Sequence, residues 1–251
     1  MENPCQNRSE TSSKPIRHSL HCGETFATVI TEPEFIHIAE EDVLCQRSRL
    51  QEYLRRHPEF RTSLRPLPAL PPAPPIVTRM AAAAARVGVG PKAAVAGSIA
   101  DSAVRAMCRA GSRHSVFDNG GDIALYIRKS VVVGIYPGRA AGQNLGFRIQ
   151  PRPHIMGICT SSATVGHSLS FGCTDAAIVI ASDVVLADAA ATALGNSVKT
   201  DSRLDLRRAL ESFFNPDIEG MAVIDRDRFG WIGNLPEIIS VTGTTSHIAK
   251  G

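Results

Sequence analysis

The chain has 251 residues, 43% of them hydrophobic, with 27 lysines and arginines against 24 acidic residues for a formal net charge of +3. That length supports a large core without disulfide or metal staples, so disorder is not the default. The basic residues are scattered along the sequence, which argues against nucleic acid as a partner, and no window approaches the roughly 18 uninterrupted apolar residues of a membrane span. The six cysteines, Cys5, Cys22, Cys45, Cys108, Cys159 and Cys173, include no C-x-x-C pair. Their spacing fits neither a zinc site nor a disulfide framework, so reduced thiols are expected. The first residues carry no basic stretch followed by an apolar run, and the expected location is cytoplasmic.

In chain order, residues 1–15 are polar and expected to be disordered, and residues 16–251 read as one α+β domain. The short β-prone runs SLHCG, ETFATVITE and FIHIA are broken by Gly23 and Pro33, as in an antiparallel hairpin or meander. From Glu40 to Arg56, Val43, Leu44, Leu50, Tyr53 and Leu54 recur at helical spacing, and Pro58 stops the helix. The proline-rich segment 65–75, RPLPALPPAPP, suits a semi-rigid connector or an extended strap. Two small-residue helices follow, MAAAAARVG and AAVAGSIADSAVRAMCRAG, separated by VGVGP. SVFDNGGDIALYI, SVVVGIYPG, LGFRIQP and DAAIVIAS are strand candidates. DSRLDLRRALESFF reads as an amphipathic helix capped by Asp201 or Ser202, and MAVIDRDRFGWIG and EIISVTG close the chain as strands. Grouped strands and grouped helices indicate α+β rather than an alternating parallel fold.

Three stretches carry polar chemistry. In VLADAAATAL, residues 185–194, Asp188 and Thr192 are the two polar groups. If a helix begins at Asp188, that residue is its N-cap. If the helix runs through it, Thr192 follows one turn later on the same face, and two hard oxygens converge as magnesium requires. In FDNGGDI, Gly120 and Gly121 permit a tight turn or the close approach of a ligand, while Asn119 and Asp122 either select turn conformations or meet a hydroxyl or a metal's surroundings. In GICTSSATVGH, Thr160, Ser161, Ser162 and Thr164 are either a plain polar loop or a surface for phosphate or ribose, with His167 as an acid or base. Cys159 suits a buried thiol better than a nucleophile, and there is no G-x-S-x-G elbow.

Taken in order, these stretches resemble the ApbE superfamily of magnesium-dependent FAD:protein FMN transferases. Its A-K-G-x-x-x-D, G-G-D, T-S-G and A-D-A-x-A-T-A motifs correspond here to Val95 through Asp101, Asn119 through Asp122, Thr160 through Ser162 and Ala187 through Ala193. The resemblance implies a single ApbE-like, T-fold-related core with antiparallel sheets and packed small-residue helices. It also implies Mg²⁺ on the Asp188 and Thr192 side chains and the Val95 carbonyl. FAD or a similar ligand would lie against Gly97, Asp101, Asn119, Gly120, Gly121, Asp122, Thr160, Ser161 and Ser162, with His167 as the catalytic acid or base. The sequence departs from the family where Ala96 replaces the lysine and Ser162 the last glycine. No D-P-x-T-G or M-G-T counterpart is present, and His167 through Gly172 stand where the former is expected. The implied function is binding of a flavin or another small phosphorylated ligand through a divalent cation, with FMN-transferase-type activity. The alternative is a non-enzymatic accessory or scaffold protein, with a protein partner, in sulfide-to-homocysteine metabolism. Neither reading involves nucleic acid or a membrane, and the sequence leaves the oligomeric state open.

Overall fold

A computed structural model describes residues 13–135, 145–162, 174–198, 203–225 and 228–241. Residues 1–12 of the stretch 1–15 expected to be disordered, the proposed cap at Asp201 or Ser202, and Thr164 and His167 all lie outside the described residues. The chain opens with a hairpin of β1 (Ile16–Cys22) and β2 (Thr25–Thr31), whose turn uses Gly23 at φ 58°. Helix α1 (Ile36–Arg56) follows a 3-10 turn at Pro33–Phe35, so FIHIA is helical and not the expected strand. The reason is that Ala39, Val43, Leu50 and Tyr53 form one buried face at helical spacing, and a proline at the first position of a turn favours helical entry. Leu44 lies off that face and is exposed. A short α2 (Pro58–Thr62) leads into the proline-rich segment. There Leu67, Ala69 and Ala73 pack on the core, and the Leu70 amide donates to the Tyr53 hydroxyl at 2.9 Å.

Helices α3 (Pro75–Val87) and α4 (Val95–Ala110) are joined by a 3-10 turn at Pro91–Ala94. Then come β3 (Ser115–Asn119), β4 (Asp122–Tyr126), β5 (Val131–Ile135), β6 (Leu145–Ile149), β7 (Met156–Ser161) and β8 (Ala176–Ala181). Helices α5 (Val184–Ser197) and α6 (Arg203–Phe213) precede β9 (Gly220–Asp225), β10 (Arg228–Gly233) and β11 (Glu237–Ser240). The segment MAVIDRDRFGWIG is therefore two strands. GICTS belongs to a central strand and not to a loop, because its residues fill the place between β4 and β8 and only its last hydroxyls reach the strand end.

The architecture has three layers. An eight-stranded antiparallel sheet, ordered β1-β2-β3-β4-β7-β8-β9-β10, has the helices on one face and the three-stranded sheet β11-β6-β5 on the other. Alternation along β3 and β4 sends Phe117 and Ala124 to the helices and Val116, Ile123 and Leu125 to the small sheet. Burial on both faces explains the unbroken apolar run of β8, which lacks the alternation of a half-exposed strand.

Helix α5 is apolar nearly all round because β7, β8, α3 and α4 surround it. Its first turn lies so close to β7 that a Cβ at Gly157 would stand 2.8 Å from Val184 Cα. Backbone cannot yield as a flexible side chain does. Gly157→Ala should therefore destabilise the fold by about 1–3 kcal/mol, read by urea titration. An unchanged midpoint would show that α5 shifts freely.

Candidate functional site

The start of α5 decides whether Asp188 caps its own helix. Asp183 is the N-cap, accepting from the amides of Val185 at 3.1 Å and Leu186 at 3.4 Å. Asp188 lies within the helix, so it does not cap the helix that carries it. It crosses instead to α4, where its Oδ2 accepts from the Gly97 amide at 2.7 Å and the Ala96 amide also donates to it. Ala94, the N-cap residue of α4, offers no side-chain acceptor. Asp188 thus supplies from a neighbouring helix the acceptor that α4 lacks, at the positive end of its dipole. The approach needs a glycine, since a Cβ on Gly97 would sit 2.7 Å from Asp188 Cβ and 3.0 Å from the Val184 carbonyl.

The sheet supplies the other side of the site. Gly120 and Gly121, at φ 71° and 100°, make the two-residue turn between β3 and β4, a geometry that two positive φ angles permit. Asn119 Nδ2 donates to the Ala96 carbonyl at 3.2 Å, and the Thr160 amide donates to the Gly121 carbonyl at 3.1 Å. By strand alternation, Asn119, Asp122, Cys159 and Ser161 share the face toward the helices. Asp122 bonds both the Asp188 carboxyl and the Cys159 thiol, and that thiol also reaches the Val184 carbonyl at 3.7 Å.

Burial is the main cause of every titration shift here. It raises Asp188 to about 7, against the opposing pull of the Gly97 and Ala96 amides. It drives Asp122 well above the carboxylate range, with the charges of Asp188 and Asp118 adding to the effect. Cys159 is raised well above an ordinary thiol by burial and by both carboxylates. Asp122 keeps some surface open to solvent, but its carboxyl is enclosed by these partners. Two carboxyls so placed do not readily ionise together, since each charge opposes the other in a buried setting.

The remaining residues of the sequence reading divide. Thr192 lies one turn beyond Asp188 on the same face, half-buried, and Ser161 faces α5 at Gly195. Thr160 joins through its backbone, while its side chain alternates to the opposite face of the sheet. Ser162 follows the last residue of β7. Val95 has helical dihedrals, φ −74° and ψ −42°, so its carbonyl follows the α4 axis. Asp101 is fully buried one turn beyond Gly97, bonded to Arg79 and, at 2.7 Å, to Arg105. Arg79 also meets Asp183 at 3.5 Å. Two groups were not singled out by sequence. Asp118 accepts from the Gly121 amide at 2.8 Å and is raised to about 6 by burial. Asp183 was legible as an acidic residue just before an apolar run.

Among the described residues no group of three or more His, Cys, Asp or Glu is arranged to hold a metal. A cation here would rest on one carboxylate, neutral oxygens and its ligand. A cavity of about 330 Å³, lined by Ser197, Asp205, Arg208, Ala209 and Ser212, lies at the far end of α5 and apart from this chemistry.

A family model described as AbpE bacteria matches residues 10–225. The chain belongs to this ApbE-like family. It is 41% identical over 239 residues to a UPF0280 protein of Methanococcoides burtonii, covering 94% of this chain and 100% of the relative. It is 42% identical over 255 residues to a UPF0280 protein of Methanocella arvoryzae, covering all of both chains. Among solved structures, the apo flavinyl transferase ApbE of Pseudomonas stutzeri matches 89% of this chain and 95% of its own, at TM-score 0.57 and 14% identity. That likeness establishes an ApbE-like α+β fold. Among the described residues no helix is long and apolar enough to cross a membrane, and Cys22, Cys45, Cys108 and Cys159 are free thiols.

Proposed function

We propose that this ApbE-like chain binds a flavin nucleotide, or another small phosphorylated ligand, through a divalent cation at Asp188 and Thr192, and that FMN-transferase-type chemistry is the activity of the site. The observation that carries the reading is the Asp188 carboxyl itself. It is buried on the positive end of α4, beside the second carboxyl of Asp122. Such a pair lacks positive charge, and its hard oxygens fit magnesium in kind. When bound, the cation would neutralise phosphate charge and orient the pyrophosphate.

The chain's own residues do the rest. Asp188 and Thr192 supply side-chain oxygens, and the Val95 carbonyl joins them only if the first turn of α4 opens. Gly97 lets Asp188 reach the α4 amides, Gly120 and Gly121 keep Cβ atoms away from the ligand, and Asn119, Ser161 and Ser162 offer hydrogen bonds along one rim. Asp122 hydrogen-bonds the Asp188 carboxyl, Asp101 braces α4 from behind, and Thr160 fixes the turn through its amide. His167 is the proposed acid or base. A cytoplasmic setting accords with the free thiols.

Calorimetric titration with FAD and with simpler nucleotides, with and without Mg²⁺, tests the reading. Metal-dependent heat is expected from the parent. Thr192→Val should weaken that binding about tenfold, since one neutral oxygen donor is lost. Absence of nucleotide binding under every metal condition would end the proposal. Binding without FAD turnover would favour the accessory role in sulfur metabolism.

A further inference from the structure

Both sheets end on the same stretch of chain. Strand β10 closes the eight-stranded sheet and pairs with β9, while β11, reached through the short link 234–236, closes the three-stranded sheet and pairs with β6. Among the described residues neither outer edge has a partner strand. An edge strand of six residues leaves a row of backbone donors and acceptors ready for pairing, and natural sheets normally blunt such an edge with charge or proline.

The opposite edge of the large sheet is blunted in that way, since β1 carries Arg17, His18 and His21. Strand β10 is not. Its single charge, Arg228, is tied to Asp225 of its own hairpin, and on β11 Glu237 is tied to Arg148 of the neighbouring strand at 2.9 Å. Beside these paired charges the wall exposes large apolar side chains. Trp231 is 61% exposed and Ile238 41%, and Trp231 leans on Phe229 with ring centroids 5.5 Å apart. From the other side α6 presses Leu206 onto Gly230, which holds the strand flat on the sheet.

These features select a partner. A wall whose charges are paired within the chain presents no unbalanced charge, so it meets a copy of itself without net repulsion. Antiparallel pairing about a two-fold axis is self-complementary, and in one register it sets Trp231 opposite the same residue of the second copy, a favourable cross-strand aromatic pair. We infer that the β10 edge is a homodimer interface, formed by antiparallel strand pairing with Trp231 at its centre. The inference is independent of the cation reading, because the wall contains none of the residues proposed for that site.

Sedimentation equilibrium over a wide concentration range tests it, together with amide exchange in β10. The parent should be a dimer whose β10 amides exchange more slowly as concentration rises. Trp231→Glu should weaken the dimer by about 30-fold or more while keeping the parent's circular dichroism. Trp231→Thr, polar and still suited to a strand, serves the same purpose if the glutamate variant is poorly folded. A parent that is monomeric throughout overturns the inference. So does a dimer unaffected by either substitution, or β10 protection that does not depend on concentration, which would mean that another part of the chain covers the edge.

Discussion

Asp188→Asn should remove Mg²⁺-dependent FAD binding, with a loss greater than the ~10–100-fold that follows removal of a residue merely supporting a metal ligand. The substitution keeps the shape and an oxygen for the Gly97 and Ala96 amides, so α4 stays capped. Only the charge is lost. The same carboxyl gives the parent a pH signature. Its value of about 7 in the folded chain lies above its ordinary 3.8, so the folded state holds the proton more tightly than the unfolded chain does. Without metal, stability is then fully present below 3.8, falls as pH rises toward 7, and levels off above it. Cation binding runs the other way and strengthens through the same window, because it needs the ionised form. Thermal midpoints measured against pH, with and without Mg²⁺, should diverge by on the order of 5 °C on the alkaline side. In Asp188→Asn the curves should coincide. A parent midpoint that ignores Mg²⁺ at every pH would rule out a cation at this carboxyl.

Removing both arginines from Asp101 should cost more stability than any single change at the site. Asp101 is fully buried, one of its oxygens has no partner, and the other is held by Arg79 and Arg105. Arg79→Met with Arg105→Met leaves that carboxylate uncompensated, for a loss of about 3 kcal/mol, the low end of the range for a broken buried pair. The low end is appropriate because the arginine side chains are 38% and 43% exposed and partly screened by water. Adding Asp101→Leu should recover much of the loss, since a buried ion cluster replaced throughout by apolar groups is often neutral or stabilising. Chemical denaturation of the double and triple variants decides it. A triple variant no more stable than the double would mean that the arginines act through packing of their stems and not through charge.

Much of this fold was legible because its periodicities are strong. The α1 face of Val43, Leu50 and Tyr53, the alanine-rich helices and the apolar β8 each satisfy one pattern without conflict. Trouble came where a pattern was shared. FIHIA is as β-prone as any strand here, and only its continuity with the buried α1 face makes it helical. GICTS looked like a polar loop because hydroxyls crowd one end of a strand whose centre is buried. At the site, the sequence brought Asp188, Thr192 and the Gly120-Gly121 turn into consideration. It offered no means of knowing that Asp188 caps another helix, because Gly97 and Asp188 meet only through tertiary packing. Asp101 carried a motif position but not the two arginines that determine its role.

The strand order contains a hidden duplication. β1-β2, helices, β3-β4 form one antiparallel half, and β7-β8, helices, β9-β10 form another of the same topology, joined where β4 meets β7. Asn119, Asp122 and the α4 amides belong to the first half, whereas Cys159, Ser161, Asp188 and Thr192 belong to the second. The site is thus a product of the joint between two repeats, and neither half by itself contains a complete set of its groups.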